Sequence, residues 1–95
     1  MELHVTRAAS WLDAAQHPII EDEWLDLVAT DASLEQDDDD PSTVWWHVDG
    51  EKIPIWFDDG VLVAKGADER VVAKLVMIAG ALAARVLDED DAEVV

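Results

Sequence analysis

Hydrophobic residues change their period several times along the chain, and each change marks an element. Leu3 and Val5 alternate with polar neighbours and predict a short first strand, with Arg7 continuing the alternation. Ser10-Trp11-Leu12-Asp13 places a capping hydroxyl three residues before a carboxylate, a minimal capping box that predicts one helical turn ended by His17-Pro18. From Ile20 the spacing turns helical. Ile20, Trp24, Leu27 and Val28 share one face, and Glu21, Asp22 and Glu23 fill the first turn, where the helix dipole favours negative charge. A helix over about residues 20–30 follows. Residues 31–42, with the run Asp37-Asp38-Asp39-Asp40-Pro41, show no period and little apolar content, so they read as a solvated acidic loop.

The middle of the chain alternates with period two around Asp49-Gly50 and Asp59-Gly60, a dipeptide suited to two-residue hairpin turns because both central residues need positive φ. Two such turns predict a three-stranded meander at 43–48, 51–58 and 61–65. Counting outward from them pairs Trp46 with Ile53, Val44 with Ile55 and Phe57 with Leu62. One face then carries Val44, Trp46, Val48, Ile53, Ile55, Phe57, Leu62 and Ala64 and is the core side, while Trp45, Trp56, Val63, His47 and Lys52 fall on the other. Pro54 conflicts with a central strand. In this register, however, it occupies a non-hydrogen-bonded pair with Trp45, so its missing N–H affects only the end of the ladder near Lys65.

Asp68 is a good N-cap, and Val71, Leu75, Ile78, Leu82 and Val86 then recur on one helical face. Val72, Val76, Ala79 and Ala83 widen that stripe, and Gly80 among alanines predicts close approach to the sheet. The helix is expected to stop between Ala81 and Ala83, leaving Arg85-Val86-Leu87 and Glu93-Val94-Val95 as short extended pieces around an acidic turn. The fold class is therefore α+β. A three-stranded antiparallel meander and an N-terminal strand pack with two helices in the order β-α-β-β-β-α, with a short C-terminal strand as an addition, all in one acidic domain over 1–95.

Composition narrows the classes. The chain has 23 carboxylates against 6 Lys and Arg, a formal charge of −17, yet 51% of its residues are apolar and five are Trp. Such an apolar content opposes wholesale disorder, and 95 residues support one core. The charge opposes binding to nucleic acid or to anionic membrane, both of which need basic clusters. Absence of Cys removes disulfides and thiolate metal sites and fits a cytoplasmic protein. The N-terminus, Met1-Glu2-Leu3-His4-Val5-Thr6-Arg7, has no basic-then-apolar signal, and the apolar stretch 71–87 is interrupted by Lys74 and Arg85, so no transmembrane span is expected. A high-salt cytoplasm or a GC-rich genome offers a plain reading of the acidity as solubility.

His4-Val5-Thr6-Arg7, Trp11, Pro18-Ile19, Glu23-Trp24-Leu25, and Trp56-Phe57-Asp58 with Lys65 before an Asp-started helix resemble a group of small uncharacterised bacterial α+β proteins. The chain departs from that pattern at Ile20, where a Ser or Thr cap would be usual, and at Ala83, where a helix-ending Gly would be. The resemblance implies the fold and no activity.

Candidate chemistry is sparse. His4, His17 and His47 are too dispersed for a metal motif, and the Asp37 to Asp40 run is followed by Pro41 rather than by an EF-hand pattern. Ser10, Ser33 and Ser42 lack a nucleophile elbow, there is no Cys or Tyr, and no Gly-rich phosphate loop occurs. No enzyme, cofactor or metal is expected. The profile instead fits stoichiometric protein binding, such as an immunity or inhibitor protein neutralising a basic partner, for example a toxin. Asp37, Asp38, Asp39 and Asp40 would steer association, with Trp45, Trp56 and His47 as anchors. Two alternatives stand beside it: a homodimer through Gly80 and Ala84 or through the Trp45/Trp56 face, and a small-molecule or metal-binding module around His47.

Overall fold

Both Asp-Gly pairs turn as their chemistry requires. In the computed structural model Asp49 and Gly50 have φ of 50° and 79°, and Asp59 and Gly60 have φ of 49° and 84°, the doubly positive pattern of hairpin turns matched to strand twist. The structure describes residues 2–8, 16–65, 68–90 and 92–94. In chain order the elements are β1 (Glu2–Thr6), α1 (Glu21–Thr30), β2 (Leu34–Gln36), β3 (Thr43–Val48), β4 (Glu51–Asp58), β5 (Val61–Lys65), α2 (Glu69–Ala81) and β6 (Arg85–Leu87). The six strands form one antiparallel sheet in the order β2-β3-β4-β5-β1-β6, an α+β fold.

The meander has the expected register: Trp46 pairs with Ile53, Val44 with Ile55 and Phe57 with Leu62. Pro54 faces Trp45, and the β4–β5 ladder ends at Trp56 and Val63, before a Pro54 N–H would be needed. Lys65 pairs instead with Glu2 of β1. The acidic stretch differs from expectation. Leu34 inserts opposite Trp46, and Glu35 and Gln36 pair with Trp45 and Val44, so part of 31–42 is an edge strand. Only its buried Leu34 is apolar.

Both helices cover one face of the sheet. Trp24 and Val28 of α1 join Val71, Leu75, Ile78 and Ala79 of α2 in a core with Leu3, Val5, Val44, Trp46, Ile55, Leu62, Ala64 and Val86. Val48, Ile53 and Phe57 pack partly buried against it. The stripe on α2 is narrower than its period implies. Val76 and Ala83 are exposed and Gly80 faces open space instead of the sheet, so of the widening positions Ala79 is buried in the core and Val72 packs half-buried against it.

Helix ends follow local chemistry. Ile20 caps α1 with no side-chain hydrogen bond, whereas the Asp68 carboxylate accepts the Arg70 N–H at 2.8 Å. At the other end of α2, Ala83 adopts φ of 53°, and the Ala84 N–H reaches the Ala79 carbonyl at 2.8 Å, a Schellman ending with Ala at the usual glycine position. Arg7 completes this corner. Its Nε donates to the Leu82 carbonyl at 2.8 Å, and its guanidinium grips Glu23 at 2.7 and 3.3 Å, joining the start of α1 to the end of α2. The same pair pushes the Glu23 pKa down and the Arg7 pKa up. The second edge of the sheet, β6, is covered by the chain's own end: Val94 N–H donates to Val86, and Leu87 bridges Glu93. The expected helical turn at Ser10 to Asp13, and Trp11 with it, lie outside the described residues.

Candidate functional site

The acidic loop leaves β2 at Asp37 and returns at Thr43, where the Asp37 N–H donates to the Thr43 carbonyl at 2.9 Å. Its four aspartates divide into two roles. The Asp37 carboxylate accepts the N–H groups of Asp39 and Asp40 at 2.8 and 3.3 Å and the indole N–H of Trp45 at 3.0 Å. The Asp40 carboxylate accepts the Ser42 hydroxyl and N–H at 2.7 and 3.1 Å and the Thr43 hydroxyl at 2.9 Å. These bonds favour the charged forms and hold both carboxyls below the usual carboxylate range, for Asp37 chiefly through the Asp39 N–H and then Trp45, for Asp40 chiefly through Ser42 and Thr43. Asp38, Asp39 and Asp40 are all exposed, and Asp38 and Asp39 are the members of the run whose carboxylates make none of these loop contacts.

Behind the loop lies the sheet face away from the helices. Trp45 and Trp56 sit diagonally on neighbouring strands, because Trp45 opposes Pro54 and Trp56 opposes Thr43. Both are half-buried rather than exposed, and each carries a lysine: Lys52 Nζ lies 5.1 Å from the Trp45 ring centre and Lys65 Nζ 6.0 Å from that of Trp56. The rings are therefore partly covered aromatic ground, not bare anchors. His47 is exposed on β3, with its Nε2 3.3 Å from Glu35 Oε1 on the edge strand. The structure thus brings Asp37 and Trp45 into contact, places His47 on the same strand as Trp45, and sets Trp56 one strand further in. His4 lies on β1 beside Glu2, and His17 is exposed ahead of α1. Among the described residues no group of three or more His, Asp and Glu could hold a metal ion.

Spacing along the sequence does not reveal the cations' roles. Each lysine of this sheet face stands diagonally across from its Trp on the adjoining strand, a relation readable only once the register is known. Lys74 of α2 bonds Asp31 at 2.6 Å and Ser33 Oγ at 3.2 Å, with its Nζ 5.7 Å from the Trp46 ring centre. The bonds from Lys74 and Ser33 lower the Asp31 pKa to about 2. Arg70 meets Asp68 at 2.7 Å, Asp49 at 2.8 Å and Glu51 at 3.1 Å, tying the start of α2 to the first hairpin turn and raising the guanidinium pKa further. Arg85 faces Glu93 at 3.8 Å. Every one of the six cationic side chains is thereby engaged within the molecule.

No protein-family model, curated protein or solved structure matches the chain. No helix among the described residues is long and apolar enough to cross a membrane.

Proposed function

We propose that this domain is a non-enzymatic, stoichiometric protein-binding module whose partner is a basic protein, in the manner of an immunity or inhibitor protein acting in the cytoplasm on a toxin. The observation that carries the reading is the internal engagement of all six cations in a chain of charge −17. With Arg and Lys turned to carboxylates and rings of their own chain, the surface offers a basic partner strong attraction and offers a phosphate backbone almost nothing. The acidic loop is a rigid presenter for this purpose. Asp37 and Asp40 fix its shape, and Asp38 and Asp39 are exposed on it.

The test is capture of partners from the source organism's lysate at low and then moderate salt, followed by association kinetics with the purified partner. One basic protein retained in near-equal amount, with Asp38→Asn/Asp39→Asn slowing association several-fold and flattening its salt dependence, supports the reading. Recovery of the domain alone, or of a diffuse set lost as salt rises, refutes it.

A further inference from the structure

Each hairpin turn of the meander carries an aspartate followed by glycine, Asp49-Gly50 and Asp59-Gly60. In such a pair the glycine has no side chain to shield its amide nitrogen, which can reach the Cγ of the aspartate before it. The attack closes a succinimide ring: a C–N bond forms, and the amide hydrogen leaves with the oxygen of a protonated carboxyl as water. Water then reopens the ring at either carbonyl, restoring aspartate or moving the main chain onto Cγ as isoaspartate. Over both steps no atom is gained or lost, and no reagent other than water is used. Closure needs Cβ and the glycine nitrogen eclipsed across the aspartate Cα–C bond, a rotation that the doubly positive turn must open to reach. The rate in the folded chain therefore follows the free energy of opening each turn.

The two turns are alike in backbone and unlike in surroundings. Gly60 is buried against the segment ahead of α1: its carbonyl accepts the Ile19 N–H at 2.9 Å, Ile19 is 1% exposed, and Pro18 leaves no room for even a Cβ on the glycine. Opening this turn breaks buried packing. Asp49 and Gly50 are both exposed, and a Cβ built on Gly50 would meet nothing within 4 Å. The side-chain restraint there is an ion pair, Arg70 Nη1 to Asp49 Oδ2 at 2.8 Å, between side chains 38% and 68% exposed, for which water competes.

We propose that Asp49 is a spontaneous modification site, isomerising to isoaspartate in a turn open to solvent, while the packing of Pro18 and Ile19 protects the equivalent Asp59. The product lengthens a two-residue turn by one backbone atom and carries its charge on a free α-carboxylate, in place of the side chain that Arg70 holds. Arg70 also bonds Glu51 and Asp68, so the change falls on the joint between the first hairpin and the start of α2. That exposed α-carboxylate is the group an isoaspartyl O-methyltransferase esterifies with S-adenosylmethionine, the chemistry by which such a lesion is repaired.

The test is to age the full chain for weeks at neutral pH and well below its melting transition, then digest it and map isoaspartyl peptides by mass spectrometry. Methyl transfer from labelled S-adenosylmethionine by a purified isoaspartyl methyltransferase gives an independent count. Isoaspartate at position 49 should exceed that at 59 by about tenfold, equivalent to ~1.4 kcal/mol of extra opening cost at the second turn. In urea above the unfolding transition the two positions should react at similar rates, because the difference belongs to the fold. Asp49→Asn and Asp59→Asn reach the same ring faster, by loss of ammonia, and should keep the order in the folded chain, read as the one-dalton gain of deamidation. Equal rates in the folded chain, or faster reaction at 59, overturn the proposal. So does a tenfold ratio that persists in urea, which would assign the difference to the neighbouring residues in sequence. Absence of isoaspartate at both positions, with the two Asn variants deamidating equally, overturns it as well.

Discussion

Gly50 and Gly60 occupy the same position of two similar turns, and their substitution by Ala separates backbone strain from packing. Both have φ near 80° (79° and 84°), so each Ala variant bears the left-handed penalty of a Cβ, roughly 1–2 kcal/mol. About 0.5–1 kcal/mol of this is offset because Ala leaves the unfolded chain less freedom than Gly. At Gly50 nothing lies within 4 Å of the added Cβ, so the net cost should stay near 1 kcal/mol. At Gly60 the Cβ would stand 2.6 Å from Pro18 Cβ and 2.9 Å from Pro18 Cα, both less than van der Waals contact. Relief by moving Pro18 is restricted, since the Ile19 N–H donates to the Gly60 carbonyl at 2.9 Å and Ile19 is 1% exposed. Overpacking of this kind adds about 1–3 kcal/mol, for a total near 3 kcal/mol. Urea unfolding followed by Trp fluorescence should therefore show the Gly60→Ala midpoint falling well below that of Gly50→Ala, with similar m-values. In a domain of this size the extra cost corresponds to a thermal midpoint lower by roughly 5–20 °C. Equal destabilisation by the two substitutions would refute the packing of the 18–20 segment on the second turn.

Other outcomes follow from single contacts. Asp31, with a folded pKa of about 2 against the ordinary 3.8, contributes stability above about pH 4 that is lost as pH falls through 2. The shift corresponds to at most about 2.5 kcal/mol, nearer 1 after solvent screening of a carboxylate that is 28% exposed, so Asp31→Asn should flatten the acid limb of stability by about 1 kcal/mol; parallel acid limbs would contradict the Lys74 pairing. Ala83→Gly should stabilise by about 0.5–1 kcal/mol, because Ala83 is exposed and holds φ of 53° at the end of α2. A loss of stability in differential scanning calorimetry would count against that helix ending.

The legible parts of the fold were those where local chemistry left one solution. Two Asp-Gly turns with two-residue loops fix the register of β3, β4 and β5, and a shift by one residue would have turned Val44, Trp46 and Ile55 away from the core. β2 left no comparable trace, since an edge strand of three residues needs only Leu34 to be apolar and obtains its pairing from β3. Periodicity also could not show how much of α2's circumference the sheet covers: Val76 fits the stripe as well as Ala79 does, yet is exposed, and Val72 is only half-buried against the core. In the candidate site, composition makes Asp37, Asp38, Asp39 and Asp40 equivalent. Hydrogen bonds to Trp45, Ser42 and Thr43 divide them, and those depend on the loop closing over β3.

The distribution of charge also weighs against acidity as a solubility device alone. The Arg7, Arg70, Lys74 and Arg85 contacts each join parts of the fold: β1 to both helices, the first hairpin turn to α2, α2 to the end of α1, and β6 to the covering C-terminal segment. Carboxylates without such partners, Asp38 and Asp39 among them, carry the surplus and hold nothing together, which is what a solvating charge would look like. A surface selected only for solubility would extend the same treatment to the outer face of α2, where a charged side chain would cost no packing and would fit the helix. That face instead keeps Ala73, Val76 and Met77 in the midst of a charge of −17. Exposed Met and Val on a helix contribute little to stability and work against solubility, so solubility alone does not account for Val76 and Met77.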